Sequence, residues 1–254
     1  MAHLSALVVA HNEARQLADC LAALHFADEI VVVLDRTTDN STAIAAEFNA
    51  RVIEGNWHIE GDRRHAGIDA CRGDWILEVD ADERVTPELA KEVRQRIQSA
   101  QPGYFLVPFA NYIGGHLVRY GWGAYNGVSM KPCLFAKGCK RWGGQRVHPK
   151  IELTGVRREL TQTMTHYVYK DVADAIHRLN RYSSLNAEQM REDGEIGTLW
   201  PNLRRMLSRF WKSYVARRGY REGLYGLLLG LLSALYPILS YLKARLADEK
   251  DARP

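Results

Sequence analysis

Residues 80–83 read Asp-Ala-Asp-Glu and close the apolar run Trp75, Ile76, Leu77 and Val79. Three carboxylates in four positions repel one another unless a cation sits between them. Carboxylates at i and i+2 of a turning loop can face one ion. Hard oxygen ligands of this kind suit Mg²⁺ or Mn²⁺, which commonly hold substrate phosphates as well. The same acids also suit a surface turn leading into a helix, because acids favour helix N-termini. Alone, Asp-x-Asp is a short and weak signal; at the end of a buried strand it favours the ion. Two other polar segments have the same placement. His11-Asn12-Glu13 follows the run 4–10, and Asp35-Arg36-Thr37-Thr38-Asp39-Asn40-Ser41 follows 29–34.

The elements that must position these segments alternate. Residues 4–10 (LSALVVA), 29–34, 51–54 and 74–79 have the composition of buried strands. Between them, 13–25 places Leu17, Leu21 and Leu24 on one helical face, and 40–49 and 62–71 are helical patterns. Thr86 before Pro87 and Glu88 starts a helix over 87–99. Strands alternating with helices predict an α/β fold with a doubly wound, mostly parallel sheet, which binds ligands at the carboxyl ends of its strands. All three polar segments fall on that edge. From 101 onward, glycine, aromatic and basic residues mix, and the pattern predicts short strands and loops rather than a second globular domain. Residues 171–193 are helical again. Residues 202–218 form a basic helix with Leu203, Met206, Leu207, Phe210, Trp211 and Tyr214, and 223–242 carry no charge.

The 254 residues suit one large domain, or one with an appendage; 46% are apolar and 25% charged, which is ordinary for a folded chain. The N-terminal sequence shows no basic start to an apolar leader. Cys20, Cys71, Cys133 and Cys139 form no CxxC pair and no zinc spacing, which predicts reduced thiols in the cytosol. The net charge of +4 conceals an asymmetry. Residues 1–100 hold 10 Lys/Arg against 18 Asp/Glu, whereas 101–150 hold 7 Lys/Arg and no acid. Residues 200–254 hold 11 basic and 4 acidic residues. Such blocks point to an anionic ligand or surface.

These segments share a longer string: His11-Asn12-Glu13, ADEIVVVLD (27–35), Thr38-Asp39-Asn40-Ser41, Trp57, Gly61, Arg64, then Gly73-Asp74-Trp75-Ile76-Leu77 before Asp80. The string resembles the nucleotide-sugar-binding half of family 2 glycosyltransferases, which have the GT-A fold. Within them it is most similar to the bacterial branch that includes lipopolysaccharide core glucosyltransferases. The resemblance covers about the first 100 residues and resumes in 165–187 (THYVYKDVADAIHRLNRYSSLNA) and 209–226 (RFWKSYVARRGYREGLYG). There are departures. The loop after Asp35 is RTTDNS where the branch has SGSTDNT, the basic-Asn step is Arg64-His65, and Val147-His148-Pro149 stands where Val-His-Glu is usual.

The resemblance implies a GT-A domain over 1–165, with 1–100 binding a nucleotide-sugar and 101–165 on the acceptor side, followed by a helical region 166–254. It implies that Asp80 and Asp82 hold a divalent metal, Mg²⁺ or Mn²⁺, which bridges the donor diphosphate as a Lewis acid. Asp35 would accept a hydrogen bond from the base, a uracil in a uridine donor, and the Ala10 backbone would bond the same base. His11 is either a ring packed on that base or an ordinary polar loop residue. Glu13 is either a first-turn helix acid or part of the ribose site, and Asn12 and Ala81 flank these positions. Arg64 either clamps a phosphate or lies on a solvated helix face. An inverting transfer needs a base for the acceptor hydroxyl. With no acid in 101–150, the candidates are His148, Glu152 and Glu83; His148 is also open to a metal or a structural role. Tyr112, Tyr120, Trp122 and Tyr125, with His116 and Arg119, suit either a sugar-binding wall or a β-rich flap.

The uncharged run 223–242 matches a bilayer in length. It has Arg217, Arg218 and Arg221 before it and Lys243 and Arg245 after it. It is a spanning helix, an element lying on the membrane, or a buried hairpin or homodimer helix in which Pro237 kinks the chain and Gly226 and Gly230 permit close packing. We expect peripheral attachment to the cytoplasmic face of the inner membrane, where a soluble donor meets a lipid-linked or lipopolysaccharide acceptor. A nucleotidyltransferase is the first rival, weakened by the lack of a Gly-rich basic loop after the first strand. A non-catalytic, membrane-tethered subunit is the second, supported by Pro149. No motif supports nucleic-acid binding.

Overall fold

The computed structural model describes residues 1–121, 129–145 and 149–251. Trp122, Tyr125 and His148 lie outside the described residues. The chain divides into two compact units, one of residues 1–109 with 130–166 and one of 110–129 with 167–254.

In the first unit the order is β1 (Leu4–Ala10), α1 (Ala14–Ala22), β2 (Glu29–Asp35), α2 (Ser41–Glu47), β3 (Arg51–Gly55), α3 (Glu60–Ala70), β4 (Trp75–Asp80), β5 (Glu83–Val85) and α4 (Pro87–Ile97). Then come β6 (Gly103–Ile113), β7 (His116–Val118), β8 (Ser129–Ala136), β9 (Lys140–Trp142), β10 (Ile151–Leu153), β11 (Val156–Glu159) and β12 (Met164–Tyr169). β6 and β12 each carry the chain out of this unit, and β7 belongs to the second. The strand order is β3-β2-β1-β4-β8-β6-β12-β5, with β11 paired to β6. The pairs β1–β2, β2–β3 and β1–β4 are parallel, and β8 runs antiparallel to β4.

All seven residues of β1 are buried, as expected of a strand covered on both faces. Leu17, Cys20 and Leu21 of α1 cover one face of the sheet, joined by Leu89, Val93 and Ile97 of α4. α3 covers the other face. A Cβ at Gly67 would meet Leu7 Cδ1 at 2.5 Å and Val33 Cγ2 at 2.8 Å, so α3 packs close to the sheet here and a larger residue would displace those core side chains. The chain steps outward from β1 to β3, then crosses to the far side of β1 to form β4. The β1–β4 boundary is therefore a switch point, where α/β sheets open a ligand crevice.

The helices expected over 13–25, 40–49, 62–71, 87–99 and 171–193 are present with ends within three residues of those bounds. Two readings needed correction. β6 is an eleven-residue strand, not a short one. Phe105, Val107, Phe109, Asn111 and Ile113 alternate inward along it, a period obscured by Pro108 and the surrounding aromatics. The basic helix expected over 202–218 is α6 (Leu199–Phe210), which passes into a π-helical turn, Trp211–Ala216, and stops at Arg218, whose φ is +59°.

The second unit also holds α5 (Val172–Glu192), a 3₁₀ turn (Gly219–Glu222) and α7 (Leu224–Asp251). β7 turns back on the end of β6, pairing His116 with Ile113. Glu222 ties this hairpin down: it accepts the N–H groups of Arg119 and Tyr120, each at 2.8 Å, and pairs with His116 Nε2 at 2.7 Å. α7 buries Leu229, Leu232, Ala234, Ile238, Tyr241 and Ala244. Lys243 points at α5 and donates to Asn180 and to the Ser183 and Ser184 hydroxyls; burial lowers its pKa. Residues 224–247 of α7 are apolar enough to cross a membrane by length and composition, yet half of that window is buried within the protein.

Burial pushes the Cys20, Cys71 and Cys133 thiols up to about 12, so these cysteines are inert packing groups. A titration does contribute to stability at the start of β1. Arg94 donates two hydrogen bonds to Asp28, which also accepts the Leu4 N–H; against the cost of burial, these groups lower its pKa from 3.8 to about 2. A depressed carboxylate pKa stabilises the fold above the unfolded value and loses that contribution as pH falls through the folded one. For a partly exposed pair the contribution is about 1 kcal/mol. Thermal melts of Asp28→Asn should show that deficit at pH 7, with the gap closing between about pH 4 and pH 2.

Candidate active site

β4 ends at Asp80, and the chain turns at once into β5. Glu83 Oε2 accepts the Asp80 N–H at 2.9 Å, closing that turn, while Ala81 is buried beneath it. β12 pairs antiparallel with β5 and sets His166 opposite Glu83. His166 Nε2 then lies 3.7 Å from Asp82 Oδ1, and its ring meets Phe109 edge-on at 5.9 Å. One ligand atom from each of Asp82, Glu83 and His166 falls within 4.8 Å of the others. Two carboxylates and an imidazole are a donor set that Mn²⁺ or Mg²⁺ accepts, and their mutual repulsion is what a dication relieves, so the residues fit a divalent metal.

The charges around this cluster are graded. Burial, then the neighbouring Asp80 charge, pushes the Glu83 carboxyl above its ordinary range, although Lys131 opposes this from 2.9 Å. Lys131 itself rests over the Phe109 ring. Asp80 shifts the other way. Burial works against its charge, but Arg64 and then Lys131 hold it well below the usual carboxylate range. Arg64 Nη2 lies 3.0 Å from Asp80 Oδ1 and 3.0 Å from Glu60, its Nη1 lies 3.7 Å from Glu78, and the guanidinium stacks on Trp142 at 4.6 Å. At 11% side-chain exposure, Arg64 is not on a solvated face. Sequence reading paired Asp80 with Asp82; the structure gathers Asp82 with Glu83 and His166, and turns Asp80 toward Arg64.

The neighbouring strand ends build a second cluster. Asp35 is fully buried at the tip of β2. Its Oδ1 accepts the Trp57 N–H at 3.0 Å, and Oδ2 faces Arg36 at 2.9 Å and Arg63 at 3.3 Å. Against the cost of burial, these groups hold its carboxyl below the ordinary range. His11 Nδ1 donates to the Asp35 carbonyl at 2.6 Å, and Asn12 Oδ1 accepts the Thr38 N–H at 2.8 Å, so the first loop is laced to the second. Asn12 and Arg36 both have positive φ, 55° and 50°, a conformation that non-glycine residues adopt at a cost and that clusters at binding sites. Glu13 begins α1 and touches Gln16. Ala10 ends β1, buried. Two buried polar atoms at this edge, Thr37 Oγ1 and Arg63 Nε, have no hydrogen-bond partner among the described residues. Orphaned buried polar atoms are uncommon, and a polar ligand at this edge would complete them.

Glu152 sits elsewhere, exposed on the β9–β10 ribbon opposite Arg141. Tyr112 tilts against Tyr167, and the Tyr120 ring lies under Arg221 in the second unit. Sequence reasoning gave no role to His166, Lys131 or Arg63. His166 lies inside the resemblance at 165–187, and Lys131 is one of the cations of the acid-free block, but only the pairing of β12 with β5 reveals where they go.

This doubly wound architecture is the GT-A fold: TarS 1–349 of S. aureus superposes with a TM-score of 0.52 over 99% of this chain and 92% of that one, at 14% identity. The sequence narrows it further. The model of glycosyl transferase family 2 matches residues 5–144, more than half of the chain, and the chain belongs to that family as a glycosyltransferase. Among relatives, the lipopolysaccharide core biosynthesis glycosyltransferase LpsC of Rhizobium meliloti (strain 1021) is 26% identical over 99% of this chain and 95% of its own length. An uncharacterized glycosyltransferase of Rickettsia felis is 23% identical over 96% and 90%.

Proposed function

We propose that the protein transfers a hexose, such as glucose, from a UDP-sugar to a lipopolysaccharide-core or other lipid-linked acceptor, with inversion and with a divalent metal, at the cytoplasmic face of the inner membrane. The observation that carries the donor half is the acid–imidazole cluster of Asp82, Glu83 and His166 beside the partner-seeking Arg63 and Thr37 edge. The acceptor half is supported by the relation to LpsC over nearly the whole chain.

Asp82 and His166 would hold the metal, with Glu83 behind them. Bound there, a dication neutralises charge that develops on the departing diphosphate. Asp35 would face the base; of its partners, Arg36 is the half-exposed one, and it would have to move aside for a base N–H. Arg64 is shared between Asp80 and Glu78, so a phosphate that draws on its guanidinium also frees Asp80 to face the cation. Lys131 keeps the buried Glu83 from being an uncompensated charge. Calorimetric titration of the wild type with UDP tests the donor site. Binding should require Mn²⁺ or Mg²⁺ and be lost in EDTA. A folded protein that binds no UDP with either metal refutes the uridine donor.

A further inference from the structure

The membrane half of the proposed function leaves open which surface meets the bilayer. Residues 196–221 carry seven Lys/Arg and no Asp or Glu, and α6 lies within them. One side of α6 packs inward. Asn202 is buried, and Phe210 fits against Gly230 of α7, where an added Cβ would come within 3.2 Å of its ring. The other side is unusual for a surface helix. Trp200, Leu207 and Trp211 are 77%, 67% and 63% exposed. Their spacing of seven and four residues puts them on one stripe that runs along α6 onto the first residue of the π-helical turn. Arg204, Arg205 and Lys212 are exposed around it.

We propose that this stripe of α6 is a docking surface for an anionic lipid bilayer, with α6 lying in the interface and α7 serving as its internal support rather than as a spanning helix. The inference rests on the membrane reading above. Indole rings at the level of headgroups and a basic polar face describe a helix that lies on an anionic membrane. Each cation near such a surface adds attraction that salt screens. A second copy of the chain is the wrong partner for this face, because a two-fold contact would set the same acid-free cations against themselves. α7, the longest apolar helix, already spends half of its apolar window inside the protein.

Vesicle flotation tests this with phosphatidylcholine alone and with phosphatidylcholine containing about one quarter phosphatidylglycerol. Wild type should float with the anionic vesicles at low salt and be released by about 0.5 M NaCl. Arg204→Ser/Arg205→Ser should weaken binding by about 30-fold. Trp200→Ser/Trp211→Ser should weaken it by at least about 10-fold. Both variants should keep wild-type circular dichroism and UDP binding. The proposal is overturned if the wild type ignores anionic vesicles, if both variants float as well as it does, or if the wild type is a dimer that the tryptophan variant dissolves. UDP binding separates the two readings. Vesicle binding without UDP binding refutes the donor assignment and keeps the docking surface; UDP binding without vesicle binding does the reverse.

Discussion

Replacing Asp82 by asparagine should abolish metal-dependent UDP binding and lower kcat by about 10²–10³-fold, while leaving the metal-free protein as stable as the wild type or more so. Both halves follow from the same geometry. Asp82, Asp80 and Glu83 lie within one turn, and the charges of Asp80 and Asp82 both raise the Glu83 pKa on top of burial. Removing one charge relieves that repulsion, so the apo melt should rise or stay level. Asparagine keeps the shape of Asp82 and one oxygen, but it offers a dication no charge. The thermal shift that Mn²⁺ with UDP gives the wild type should then disappear in the variant. His166→Gln should show the same pattern with a smaller loss, because it removes a neutral donor. Unchanged metal-dependent binding in Asp82→Asn would move the metal away from this cluster. A large drop in the apo melt would make Asp82 a structural residue instead.

The elements of the first unit are written plainly in the chain. β1, β2 and β4 are apolar on both faces, which only a covered parallel sheet requires, and Thr86-Pro87 marks the start of α4. The polar ends of those strands fall together because sheet order brings them together, so Asp35, Asp80 and Asp82 could be placed at one sheet edge by position. What sequence could not supply is long-range register. His166 enters the site because β12 pairs with β5, and Lys131 because β8 returns beside β4. Neither pairing has a local signal. Side-chain direction was also hidden. Asp80 looks equivalent to Asp82 in the string Asp-Ala-Asp, yet a turn residue points one way and a strand end the other, and Arg64 claims the strand end. The motif residues Trp57, Gly61 and Gly73 likewise acquire physical reasons only in three dimensions. Trp57 gives its N–H to Asp35. A Cβ on Gly61 would strike the Gly143 carbonyl at 2.3 Å, and one on Gly73 would strike the Ser5 N at 2.6 Å.

Lys140→Met should be among the most destabilising single changes in the first unit, by about 3 kcal/mol, and Glu78→Gln should recover most of that loss when added to it. Lys140 and Glu78 are 3% and 4% exposed at their side chains, and they form a close ion pair. Lys140 also donates to the Pro132 carbonyl at 3.0 Å and lies over the Phe135 and Trp142 rings. Methionine fills the same volume but leaves Glu78 with the Trp142 Nε1 donor at 3.1 Å and Arg64 at 3.7 Å. A buried carboxylate in that position recruits whatever cation it can reach, and that cation is Arg64. The variant should therefore weaken UDP binding as well as lower Tm by roughly 6–12 °C, since Arg64 is drawn from Asp80 toward Glu78. Glu78→Gln removes the uncompensated charge, keeps an acceptor for Trp142, and returns Arg64 to Asp80. The double variant should thus melt above Lys140→Met and regain its UDP affinity. Additive losses in the double-mutant cycle would show that the two residues act independently, and would detach this buried pair from the positioning of Arg64.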